Sequence, residues 1–176
     1  MATNVAEIFK GARCIDFTGQ VAGFEHWDSF GAKFTDMIRS KAHTKAVVLI
    51  DRCLAGRLNS PMLVRDHINF TGNNPLVGPN HEGGDRFPVV QGIYLTDCPA
   101  DLPGGVAGGL KAGVIPDAEE TALLRSFGVD FCCYNIVPAM LVAAQAGWKV
   151  LAIGVPDGAA LSEAQLQQIS ELTRKN

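Results

Sequence analysis

Apolar runs and amphipathic stretches alternate along the chain at lengths that suit strands and helices in turn. Ala46-Val-Val-Leu-Ile50 is rich in β-branched side chains, as expected of a strand covered on both faces. Trp148–Val155 has the same character, and Arg13–Thr18, Pro61–Arg65 and Val129–Cys133 read as shorter strands. Asp28–Lys41 places Phe30, Phe34, Met37 and Ile38 near helical spacing, which predicts an amphipathic helix. Asp117–Phe127 and Val137–Ala146 read as two more helices, with Gly147 placed to end the second in a left-handed conformation. Ser162 and Gln165 have the spacing of a capping box and open a last helix that runs to Arg174.

Two segments interrupt this alternation. Asp66–Val90 reads as loop, because TGNNPLVGPNHEGGDRFP carries Gly, Pro and Asn at turn-forming density. So long a loop inside a compact domain is usually functional or interface-forming. Pro99–Gly113, with Gly104-Gly-Val-Ala-Gly-Gly109 at its centre, is expected to be a flexible crossing. It lacks the Lys-Ser/Thr pair of a phosphate-binding P-loop. The pattern as a whole predicts one α/β domain over residues 1–176, a sheet flanked by helices.

Composition narrows the function classes. The 176 residues are 47% hydrophobic and 19% charged, enough for a substantial core. A net charge of −3 offers no electrostatic footprint for nucleic acid. No apolar run approaches the ~20 residues that span a bilayer, and MATNVAEIFKGAR has no export-signal pattern. A cytoplasmic protein with no membrane partner is therefore expected. The five cysteines (Cys14, Cys53, Cys98, Cys132, Cys133) read as buried thiols, with Cys132 and Cys133 facing opposite sides of a strand. His67 and His81 lack ligand spacing, so no metal site is expected. Cys53 follows a buried strand, at the edge where α/β sheets place their sites. With no base beside it, it reads as a packed thiol rather than a nucleophile. Asp117, Glu119 and Glu120 open a helix, where carboxylates complement the dipole.

A longer stretch carries a resemblance. Arg65-Asp-His-Ile-Asn69, then Thr71-Gly-Asn-Asn-Pro-Leu-Val-Gly-Pro-Asn80 and Gly84-Asp-Arg-Phe-Pro88, resembles the loop region of the trimeric purine nucleoside phosphorylase family. That family includes methylthioadenosine and xanthosine phosphorylases. Tyr94 continues the match, and Leu124–Val155, with Gly128, Asp130, Val137, Pro138 and Gly147, is similar to its closing strand-helix-strand. The resemblance implies a three-layer α/β sandwich with a central mixed β-sheet flanked by helices. It also implies a homo-oligomer, a trimer or hexamer, because the loop lies near the family's subunit interface. The family's N-terminal glycine-rich phosphate loop has no counterpart here.

Members of that family bind phosphate and a nucleoside, then break the N-glycosidic bond. The resemblance places their functional positions on altered residues. In Gly19–Glu25 the phosphate-binding arginine falls on Gln20, the phosphate-binding histidine on Ala22 and the ribose-stacking tyrosine on Phe24. The ribose-packing methionine becomes Tyr134 and the phosphate-binding serine becomes Asn135. The purine-binding glutamate falls on Pro116, with Asp117 beside it as a substitute, and Asp157 is the polar candidate for the purine-binding asparagine. No equivalent of the ribose-binding histidine lies near Leu161. Each lost charge-assisted phosphate contact is worth about 1.5–3 kcal/mol.

Two functions follow as expectations. One is a rebuilt nucleoside-cleaving site with Asp117, Asn135 and Asp157 as catalytic candidates. In it Gln20, Phe24, Arg52, Cys53 and Tyr134 bind substrate, inorganic phosphate is a possible co-substrate, and no other cofactor is needed. Arg52 and Arg57 are the candidate new cations for the pocket. The other is a non-catalytic homologue that binds a nucleoside, nucleobase or other small molecule, or assembles with partner subunits. Convergence of Asp117, Asn135 and Asp157 in one pocket distinguishes them.

Overall fold

A computed structural model describes residues 4–40, 45–81 and 84–174. Seven strands form a mixed sheet, with β1 at Arg13–Asp16, β2 at Glu25–His26, β3 at Ala46–Cys53 and β4 at Met62–Asn69. The others are β5 at Gly104–Gly109, β6 at Phe131–Cys133 and β7 at Lys149–Pro156, in the order β2-β1-β3-β7-β4-β5-β6. Every pairing is parallel except β4 with β7. The helices are α1 (Val5–Phe9), α2 (Ala32–Arg39), α3 (Ala118–Ser126), α4 (Ile136–Gln145) and α5 (Glu163–Thr173).

Strand alternation sorts the core into two faces. Val47 and Leu49 of β3 and Val150 and Ala152 of β7 pack with Phe34, Met37 and Ile38 of α2 and the apolar length of α4. Ala46, Val48, Ile50, Leu151 and Ile153 face the other way, against Phe9 of α1 and Ile169 and Leu172 of α5. Three layers result, as the family resemblance implies. Cys132 and Cys133 enter different clusters, as their adjacency on a strand requires. Gly147, at φ +74°, ends α4, and the Ser162/Gln165 capping box starts α5 with both of its hydrogen bonds formed.

The glycine-rich stretch departs from its expectation. Gly104–Gly109 is not a flexible crossing but strand β5, lying between β4 and β6. Its glycines are there because neighbours fill the space of a side chain. A Cβ on Gly109 would lie 2.8 Å from Val137 Cβ, and one on Gly105 would lie 2.6 Å from Met62 Cε. Strand β4 likewise runs to Asn69, four residues beyond the predicted Arg65, because its far half pairs with β5. Helix α2 starts at Ala32 rather than Asp28, and the expected end at Lys41 lies outside the described residues. Residues 70–93 are irregular where described, as expected from their turn residues. Short α1 and β2 have no counterpart in the sequence reading.

Candidate active site

The C-terminal ends of parallel strands are where open α/β sheets hold ligands. Here β1, β3 and β7 end together, with Asp16 paired to Ile50 and Arg52 paired to Val155. The loops that follow enclose a cleft of about 310 Å³ lined by Phe17, Thr18, Gln20, Arg52, Val155 and Asp157. That volume is at the lower end of the ~300–1,000 Å³ usual for small-molecule sites. A small hollow lined by Thr18, Gln20, Val21, Val155, Ala160, Leu161 and Leu166 shares three of those walls, Thr18, Gln20 and Val155.

Two buried aspartates fix the loops around it. Asp16, at the end of β1, accepts from Thr18 N (2.8 Å), Thr18 Oγ1 (2.6 Å) and Val21 N (2.8 Å), which holds the turn carrying Gln20. Asp51, in β3, accepts from Arg52 N and Asn135 Nδ2, both at 2.9 Å, through Oδ1. Its Oδ2 accepts from the backbone of Tyr134 (3.1 Å), Asn135 (2.6 Å) and Ile136 (3.3 Å), at the start of α4. Burial raises the Asp51 pKa against the opposing effect of these bonds. The sequence reading missed Asp51, although a carboxylate closing a fully apolar strand run was a visible signal. It also missed Phe17, Thr18 and Val155, whose only signal was their place just beyond or at a strand end.

Of the candidates, Gln20, Arg52 and Asp157 meet in the cleft. The Arg52 guanidinium is ion-paired with the Asp157 carboxylate, which raises the arginine pKa further, and both side chains are about half exposed. Tyr134 and Asn135 are held behind Arg52 by Asp51. The Tyr134 hydroxyl donates to Val114 O at 2.7 Å, and Asn135 Oδ1 accepts from Phe30 N at 2.8 Å.

The others stand elsewhere. Asp117 is the N-cap of α3: its Oδ1 accepts from Glu120 N at 2.9 Å, and Glu120 Oε2 accepts from Asp117 N at 3.0 Å. It does not line the cleft with Asp157, so the three proposed catalytic groups do not converge. Phe24 packs into the α1/α5 side of the core. Cys53 is buried in the opposite cluster, and desolvation pushes its thiol up to about 12, so it is not a thiolate at neutral pH. Arg57 is bound to Asp130, with Nε 2.7 Å from Oδ1, at the start of β6. Among the described residues no group of three or more His, Cys, Asp or Glu could hold a metal, and no helix is long and apolar enough to cross a membrane.

A different surface is made by the long loop. Asn74, Leu76, Val77, Gly78, Arg86, Phe87, Pro88, Val90 and Leu141 line an open groove of about 540 Å³. Val77 and Phe87 are each 82% exposed, a costly display for a free surface.

No model of a known protein family matches the chain. Purine nucleoside phosphorylase 1 of Bacillus subtilis is 28% identical over 187 residues, covering 92% of this chain and 68% of the relative. The Bos taurus purine nucleoside phosphorylase is 29% identical, over 81% of this chain and 57% of its own length. Purine nucleoside phosphorylase 1 of Geobacillus stearothermophilus reaches 35% identity over 104 residues, 38% of that relative. Among solved structures, Schistosoma mansoni purine nucleoside phosphorylase with a monocyclic inhibitor superposes with a TM-score of 0.63 at 23% identity, over 76% of this chain and 61% of that one. The same enzyme with adenosine gives 0.60 at 22% identity, over 73% and 56%. The chain thus spans 57–68% of the first curated relatives it matches. Sequence similarity along most of its length and a shared sheet architecture make this chain a divergent relative of the purine nucleoside phosphorylases.

Proposed function

We propose that the cleft at the ends of β1, β3 and β7 binds a nucleoside or nucleobase, and that this chain alone does not cleave nucleosides with phosphate. One observation carries the second half of this reading. Among the described residues Arg52 is the only cationic side chain lining the cleft, and Asp157 already neutralises it. Phosphorolysis asks for cations and donors gathered around a dianion, so that charge is stabilised as the glycosidic bond breaks. Gln20 supplies at most one neutral amide to that task. The first half is supported by the relatives' names and by the solved complexes of the Schistosoma mansoni enzyme with adenosine and with hypoxanthine.

The apolar groove supports a homo-oligomer, a trimer or hexamer, in which a second copy covers Val77 and Phe87. Light scattering after gel filtration tests this, with Phe87→Ser expected to release monomer.

Release of free base from a panel of nucleosides, followed by ultraviolet absorbance with and without phosphate, tests the main reading. Hypoxanthine binding by calorimetry without base release supports it. Phosphate-dependent release overturns it. Release that ignores phosphate makes the chain a hydrolase of the same ligands.

A further inference from the structure

The start of α4 is capped in an unusual way. Asn135 occupies its N-cap position but makes no side-chain bond to its own helix, and no acidic residue lies in the first turn. The Asn135 side chain is turned outward, donating to Asp51 and accepting from Phe30 N in the loop before α2. The exposed N–H groups of a helix start are a ready anion site. Here they are filled from another strand: Tyr134, Asn135 and Ile136 all donate to one oxygen of Asp51, more than 80 residues earlier in the chain. Arg52 N and Asn135 Nδ2 occupy the other oxygen. All five partners are N–H donors, so each bond favours the ionised carboxylate.

We infer that Asp51 is the positioning residue of the cleft, an internal anion that sets where Arg52, Tyr134 and Asn135 stand. The claim that this placement governs ligand affinity rests on the cleft being the ligand site. One carboxylate joins the strand that presents Arg52, the turn that presents Tyr134, and through Asn135 the loop at Phe30. It touches no ligand itself, being 1% exposed. The same arrangement occupies the N–H groups of Tyr134, Asn135 and Ile136, which are therefore not open to an external phosphate.

Amide exchange in the wild-type chain tests the placement directly. The amides of Tyr134, Asn135 and Ile136 are expected to exchange far more slowly than the exposed amides of residues 111–113; equal rates overturn the inference. Asp51→Asn keeps the volume but turns an NH₂ toward N–H donors, and Asp51→Gly leaves room for a small carboxylate. Both are expected to weaken hypoxanthine binding about tenfold or more. Added formate restores affinity to Asp51→Gly, and neutral formamide does not. Ile169→Val, a buried change in α5 whose side chain does not line the cleft, lowers stability without this loss, which separates positioning from mere destabilisation. Wild-type affinity in both Asp51 variants, or rescue by formamide as well, refutes the role. If the wild-type chain binds no hypoxanthine, the functional reading fails instead. The inference is then decided by 3-fluorotyrosine spectra of Asp51→Gly. Of the two tyrosines, only the Tyr134 signal should return to its wild-type position with formate, while buried Tyr94 serves as reference.

Discussion

Freeing Arg52 is the sharpest test of the proposal that Asp157 withholds it from phosphate. Asp157→Asn removes the carboxylate that pairs with the guanidinium and keeps its size. The side chains are 48% and 63% exposed, so water screens the pair and its contribution to stability is about 0–1 kcal/mol. A chain of this length loses about 2–4 °C of melting temperature per kcal/mol, so the variant should melt within about 4 °C of wild type. Binding should change far more. A free guanidinium beside Gln20 gains a charge-assisted bond to phosphate worth about 1.5–3 kcal/mol, or about 10- to 150-fold in affinity. Calorimetric titration of inorganic phosphate at low ionic strength, where screening is weakest, reads this difference. Phosphate binding equally well to both proteins would refute the reasoning, because Asp157 would then not be what withholds Arg52.

Other outcomes follow from the same geometry. Gly154→Ala, in β7, would place a methyl 2.5 Å from Cε2 of the fully buried Phe131 ring; about 1–3 kcal/mol of stability should be lost in denaturant titration. Asp117→Ala removes the α3 capping box at a cost of about 0.5–2 kcal/mol, while hypoxanthine affinity in calorimetry stays at the wild-type value. Asp51 has a folded pKa raised by burial, with Arg52, Cys53, Cys133 and Tyr134 the titratable groups around it. A raised folded pKa means stability that is complete below the ordinary value of 3.8 and is lost as pH rises through the raised one. Melting curves of wild type and Asp51→Asn across acid pH should therefore show the wild type gaining on the variant as pH falls. The opposite trend would mean that the five N–H donors outweigh desolvation.

Much of the framework was legible because its signals are local. The runs at 46–50 and 148–155 become β3 and β7, since an unbroken β-branched stretch has few ways to be buried other than between two layers. Capping chemistry works over three residues, so Ser162 with Gln165 marked α5. The same locality explains Asp117. Its tie to Glu120 is a capping box visible in the sequence, and family position made it a base-binding candidate only by proximity. Residues 104–109 could not be read this way. A strand of mostly glycine has no side-chain pattern, and its reason lies in Met62, Val137 and Arg65, which occupy the space above it.

The residues thus determined five of the seven strands, most helix boundaries and the list of family positions that had lost charge. Tertiary structure decided which of those residues meet. Parallel registry of β3 with β7 brings Arg52 and Asp157 together across 105 positions, and the turn into α4 brings three amides onto Asp51. Neither encounter has a sequence period, because hydrogen bonds between strand ends depend on sheet order, and sheet order is settled only when the two core faces are packed.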